Sequence, residues 1–207
     1  MERKELVDCW NSKGIVKDKR LLDAFLSVPR EKFILDGHLS EAYGDYPLPI
    51  LEGQTISQPT TVMIMINALE LKKTDKVLEV GAGSGYCAAI ISRIAKEVYT
   101  TEIIPGLVDF AKKNLEKAGI KNVYVIHHDG SQGYEKESFY DKIIVTAACP
   151  KIPQPLIDQL KENGMIIAPV SYLLGQKIVK GIKKQNKLEK EPLGDFAFVP
   201  LKGKYGY

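Results

Sequence analysis

Three patterns of apolar and polar positions follow one another along the chain. Residues 1–35 read as helical. Leu21, Leu22, Phe25 and Leu26 fall on one helical face, Asp18 stands where a cap belongs, and Pro29 ends the run. Residues 36–57 keep no period and are punctuated by Gly37, Gly44, Pro47, Pro49 and Gly53, which predicts loop and turn. A loop that long inside a compact domain usually carries function. A helix is predicted next, with Val62, Met65, Ile66 and Leu69 at i, i+3, i+4 and i+7. Pro59 suits its first position, and Ser57 or Gln58 precedes it.

From Lys76 the period alternates between strand and helix. Strands are predicted at Val77–Val80, Glu97–Thr101, Asn122–Ile126, Asp141–Thr146 and Met165–Val170. Helices are predicted at Tyr86–Ala95, Pro105–Ala118 and from Pro153 through Leu160. Such alternation implies a mostly parallel sheet with helices on both faces, and ligands at the carboxyl ends of its strands. The tail differs. Gln176–Lys184 alternates, Asn186-Lys187 can turn, and Phe196–Leu201 is apolar, which predicts two antiparallel edge strands. The chain is expected to form one domain, with a helical and loop region at 1–75, an α/β core at 76–170 and an antiparallel edge at 171–207.

Charge narrows the partners. With 29 basic and 26 acidic residues the net charge is +3, too weak for the basic footprint of a nucleic-acid protein. The apolar runs are too short to span a membrane, and the charged start Met1-Glu2-Arg3-Lys4-Glu5 does not read as a signal peptide. Cys9, Cys87 and Cys149 are scattered and show no metal or disulfide spacing. A cytoplasmic monomer is expected.

The chemistry gathers around Glu79-Val80-Gly81-Ala82-Gly83-Ser84-Gly85-Tyr86. Gly81, Gly83 and Gly85 end a strand and open a helix, so a ligand can lie on bare main chain near free N–H groups. Glu102 closes the second strand, where an acid can hold ribose hydroxyls. Asp129-Gly130 closes the third, within reach of an adenine amino group. Nicotinamide and S-adenosylmethionine sites share Glu102. Tyr86 stands where a dinucleotide site wants a small residue, which favours S-adenosylmethionine. No lysine follows the glycines as in a phosphate loop. His127 and His128 are strand neighbours facing opposite ways, so no metal is expected there.

Several segments together resemble the protein-L-isoaspartate O-methyltransferase family over nearly the full length. They are Val28-Pro29-Arg30-Glu31-Lys32-Phe33, Ala42-Tyr43-Gly44-Asp45-Tyr46-Pro47-Leu48-Pro49-Ile50, Gly53-Gln54-Thr55-Ile56-Ser57-Gln58-Pro59, the glycine turn, Val145-Thr146-Ala147-Ala148-Cys149-Pro150, and Phe198-Val199-Pro200-Leu201. The segment Gln54–Pro59 is the most specific. The resemblance implies a Rossmann-like class I methyltransferase fold that uses S-adenosyl-L-methionine and releases S-adenosyl-L-homocysteine. The implied acceptor is the free α-carboxylate of L-isoaspartyl residues in damaged proteins, with D-aspartyl residues poorer. The ester then collapses to a succinimide unaided. The family's active-site serine falls on Ser57. The resemblance also places Thr55, Ile56, Gly81, Gly83, Ser84, Gly85, Glu102, Asp129 and Gly130 at the cofactor. Thr55, Ile56, Ser57, Ala147 and Val199 fall at the substrate. Many relatives carry Gly-His-Gly before the glutamine, where this chain has Leu51-Glu52-Gly53.

The missing chemistry fits this reading. A carboxylate is ionised at neutral pH and needs no strong base, and no histidine–acid pair suggests itself. Ser57 therefore reads as a positioning donor rather than a nucleophile. The alternative is a methyltransferase acting on a small molecule or RNA, and the charge balance argues against RNA.

Overall fold

The computed structural model describes residues 2–207. Two N-terminal helices, α1 (Arg3–Ser12) and α2 (Lys19–Ser27), open the chain. The Asp18 carboxylate caps α2 by accepting from the Arg20 N–H at 2.9 Å. Two short 3-10 turns follow, Arg30–Phe33 and Asp36–Glu41. A two-residue antiparallel pair then forms between β1 (Leu48–Pro49) and β2 (Thr55–Ile56), and α3 (Pro59–Ala68) leads into the core. The stretch expected to be loop is thus a small tethered hairpin with 3-10 turns, too short in its elements for a period to register.

The core alternates β3 (Lys76–Val80), α4 (Tyr86–Ile91), β4 (Glu97–Glu102), α5 (Pro105–Lys117), β5 (Val123–His127), β6 (Tyr140–Val145), α6 (Gln154–Asp158) and β7 (Leu160–Tyr172). β8 (Gly175–Lys184) and β9 (Lys187–Phe196) complete a seven-stranded sheet of order β5-β4-β3-β6-β7-β8-β9. The pairs from β5 across to β7 are parallel, and β7–β8 and β8–β9 are antiparallel. Strand order reverses at the β3–β6 junction, where an open α/β sheet leaves a crevice beyond its carboxyl ends. Apolar cores fill both faces. One gathers Trp10, Phe25, Phe33, Met63 and Ile90, and the other gathers Leu78, Tyr140, Ile143, Leu156 and Ile166.

Three expectations need correction. The helix after the glycine turn ends at Ile91, not Ala95. The Ser92 hydroxyl turns back onto the Ala89 carbonyl at 2.7 Å, and the Asn122 amide takes the carbonyls of Ser92, Ala95 and Lys96, so the helix unwinds onto other partners. Strand β7 starts at Leu160 rather than Met165: Leu160 pairs with Tyr140, an irregular stretch with Asn163 at φ 62° follows, and regular pairing with β6 resumes at Met165. The last edge strand is Lys187–Phe196 rather than Phe196–Leu201. A solvated edge suits the charged segment. Apolar Val199 and Leu201 instead cross back over the strand ends, where Pro200 bridges to Ala148.

Candidate active site

A cleft open at its mouth lies over the carboxyl ends of β3, β4 and β6. Its floor is the glycine turn. The N–H groups of Gly81 and Ala82 both donate to the Thr101 carbonyl, at 2.9 and 3.0 Å. This pins the turn to β4. Gly81 sits at φ 96°, and a Cβ there would come within 2.5 Å of Thr146 Oγ1. Gly83 sits at φ 53° with only Ile50 Cδ1 near its missing Cβ, at 3.8 Å, so its main chain faces open cleft. This is a surface on which a ligand can lie without meeting a side chain.

Two carboxylates flank the turn. Glu102 Oε2 accepts from the Gly83 N–H and Oε1 from the Ile104 N–H, both at 3.0 Å. The two bonds fix its orientation at the cleft wall. Glu79 lies inside β3, fully buried, and also lines the cleft. The Thr100 hydroxyl donates to its Oε2 at 2.5 Å, while its Oε1 has no partner. Burial pushes the Glu79 carboxyl up to about 7, against the lowering effect of Thr100. The Cys87 thiol and the Ala88 N–H lie close enough to offset part of that rise, and the carboxyl stands beside the bare backbone of the turn.

Glu79 gives a pH prediction. Its proton is held more tightly in the folded chain than at the ordinary value of 4.5. The stability it lends is fully present below about 4.5 and is lost as pH rises through about 7, on the order of 3 kcal/mol in all. Without ligand, the melting temperature of the wild type should fall between pH 5 and 7.5. Glu79→Gln should flatten that slope; scanning calorimetry at the two pH values reads it.

The opposite wall comes from the β1–β2 hairpin. Gln54, Thr55, Ile56 and Ser57 line the cleft. Ser57 precedes α3, and a serine there commonly caps the helix. It does not do so here. The residue in the cap position is Gln58, whose side chain makes no capping bond. Asp45 caps from a distance: its Oδ1 accepts from the Thr60 N–H at 2.9 Å and its Oδ2 from the Thr60 hydroxyl at 2.7 Å. The Trp10 indole N–H donates to the same hydroxyl at 2.7 Å. The Ser57 hydroxyl has no hydrogen-bond partner among the described residues, and it stands at the cleft.

Ala147 and Val199 line the cleft as well. The Ala148 N–H donates to the Val199 carbonyl at 2.8 Å and the Leu201 N–H to the Ala148 carbonyl at 2.7 Å, so the returning segment closes one side. Arg30 and Tyr86 account for another sequence segment. The buried Arg30 guanidinium lies 5.1 Å from the Tyr86 ring centroid, buttressing a cleft-lining aromatic from behind.

Of the residues expected at the site, Thr55, Ile56, Ser57, Gly81, Gly83, Ser84, Glu102, Gly130, Ala147 and Val199 come together around the cleft. Two do not line it. Gly85 faces α5 instead, where a Cβ would sit 3.2 Å from Leu115 Cγ, so it serves close helix packing. Asp129 turns its carboxylate to the chain around it. It accepts from the Ser131 hydroxyl at 2.6 Å, the Gln132 amide at 3.1 Å and the Lys204 N–H at 2.9 Å. Sequence reasoning missed Thr146, Lys202 and the cap Asp45, and took Glu79 only as part of the glycine pattern. An acid inside an apolar strand was the available signal for Glu79. His127 and His128 turn to the Ile103 carbonyl and the Tyr134 ring, respectively. Among the described residues no three His, Cys, Asp or Glu side chains converge as metal ligands, and no helix is long and apolar enough to cross a membrane.

The family described as protein-L-isoaspartate(D-aspartate) O-methyltransferase matches residues 1–206. The chain belongs to this family. A protein-L-isoaspartate O-methyltransferase of Pyrococcus abyssi is 48% identical over 207 residues, covering 99% of this chain and 96% of that one. One of Thermococcus sibiricus is 49% identical over 207 residues, covering 98% and 94%. Among solved structures, a protein-L-isoaspartate O-methyltransferase described from Plasmodium falciparum superposes with a TM-score of 0.84 at 29% identity, covering 98% of this chain and 99% of that one. That protein is in complex with S-adenosyl-L-homocysteine. Family membership accounts for the segment around Ser57, which the fold alone does not demand.

Proposed function

We propose that this chain methylates the free α-carboxylate of L-isoaspartyl residues in damaged proteins, and less readily that of D-aspartyl residues. The observation that carries this is family membership across residues 1–206, joined to a cleft that Ser57 and the glycine turn both line. When bound, S-adenosyl-L-methionine supplies a methyl group already activated on a sulfonium. The protein's part is then orientation and exclusion of water.

In this reading the backbone of Gly81, Gly83 and Ser84 cradles the cofactor. Glu102 receives its ribose hydroxyls, and Gly130 borders its adenine. Asp129 acts next to that edge, with its carboxylate shared with the tail. Thr55 and Ile56 separate cofactor from substrate. Ser57 donates to one oxygen of the acceptor carboxylate and so turns the other toward the methyl group. Ala147 and Val199 hold the acceptor's chain. No base is required, since the acceptor is ionised at neutral pH. Damaged polypeptides are the partners, nucleic acid and membranes are not, and the chain works as a cytoplasmic monomer.

The test is methyl transfer from labelled S-adenosyl-L-methionine to two peptides that differ only in isoaspartyl or aspartyl linkage. Label should enter the isoaspartyl peptide alone. Label in both peptides, or in neither, overturns the proposal.

A further inference from the structure

The cleft poses an electrostatic problem. Its lining includes the Glu102 carboxylate and the Glu79 carboxyl, which ionises as pH rises through about 7, and the acceptor in the proposed reaction is a further carboxylate. An anion brought beside like charges in a partly desolvated cleft is repelled unless a cation meets it. Among the described residues only one lining side chain carries positive charge, Lys202. It is exposed, and its ammonium joins no ion pair or hydrogen bond among the described residues.

The backbone that carries Lys202 is held on both sides. Leu201 before it is buried, and its N–H bonds to the Ala148 carbonyl at 2.7 Å. Lys204 after it bonds through its N–H to Asp129 Oδ2 at 2.9 Å, and the Tyr205 N–H bonds to Ser131 Oγ at 3.0 Å. The Tyr207 N–H returns to the Leu201 carbonyl at 2.8 Å. A free lysine side chain thus rises from a fixed backbone at the rim of the cleft, beside Val199 and Pro200.

We infer that Lys202 is a substrate-positioning residue: its ammonium pairs with the acceptor carboxylate and guides it to Ser57. This rests on the reading of the acceptor as an isoaspartyl carboxylate. The bonds that Asp129 makes to the tail then gain a purpose, since they set the height of Lys202 over the cleft. A partly exposed charge pair of this kind changes affinity modestly and responds to salt.

The experiment compares wild type, Lys202→Arg and Lys202→Gln on one isoaspartyl peptide, with cofactor affinity measured by calorimetry. In Lys202→Gln, KM for the peptide should rise roughly threefold to tenfold. The kcat should move less than KM, and cofactor affinity should stay within about twofold. The salt dependence of kcat/KM should weaken in Lys202→Gln and persist in Lys202→Arg, which should keep most of the wild-type KM. An unchanged peptide KM in Lys202→Gln, or an equal loss in the arginine variant, overturns the inference. If the wild type itself fails to methylate the isoaspartyl peptide, the failure belongs to the proposed activity and not to Lys202.

Discussion

Replacing Ser57 by alanine should lower kcat on an isoaspartyl peptide by about a hundredfold, the usual loss for a single preorganised donor at a reacting oxygen. Cofactor affinity should remain within about twofold. The reason lies in how α3 is capped. Asp45 takes the Thr60 N–H and hydroxyl, so Ser57 owes nothing to the helix. Removing its hydroxyl therefore leaves the helix start intact, and melting temperature should barely shift. Asp45→Ala makes the contrast, since it strips the cap and should cost about 1 kcal/mol of stability. Kinetics, calorimetry and thermal melts on both variants separate the roles. Equal losses of turnover and cofactor affinity in Ser57→Ala would sink the positioning role.

Gly81→Ala should do the larger structural damage. Its φ of 96° is strained for any residue with a side chain, and the new Cβ would lie 2.5 Å from Thr146 Oγ1. That hydroxyl cannot retreat freely, because it donates to the Gly81 carbonyl at 2.7 Å and approaches the Val80 carbonyl at 3.1 Å. Backbone strain and overpacking together should cost about 2–5 kcal/mol. For a chain of this size, that lowers the melting temperature by on the order of 10 °C. Cofactor affinity should fall tenfold or more, because the same residue floors the cleft. Thr146→Ala removes the clashing oxygen. The double variant should be less destabilised than the sum of the two singles, with the backbone strain remaining. Strict additivity in calorimetric melts would show that the clash is not the cause.

Much of the site was legible before the fold. Glycines at alternate positions after an apolar strand have few other uses, and Glu102 stood at a strand end where its side chain faces the same crevice. The α/β core was legible for the same reason: β3 and β6 are buried nearly throughout, so their sequences are mostly apolar, broken by Glu79 in the one and by Asp141 and Lys142 in the other. What stayed hidden depends on distant parts of the chain. Asp45 caps a helix 15 positions on, and no local spacing announces that. Asp129 closes its strand as the sequence suggests, but the bond that ties its carboxylate to residue 204 could not be read from local spacing. The tail misled because Phe196–Leu201 is apolar enough for a strand. Its apolar side chains are needed over the sheet's carboxyl ends, and the charged segment before it serves as the edge. Lys202 was one lysine among many until the returning segment put it at the rim.

The bond between Asp45 and Thr60 has a consequence for ligand binding. It closes residues 45–60 into a ring of chain, clamped at its base by two hydrogen bonds and further by Trp10. The entropy of closing that ring is lost when the protein folds, not when ligand arrives. The wall that carries Thr55, Ile56 and Ser57 is therefore preorganised, and little of the binding energy need be spent on ordering it.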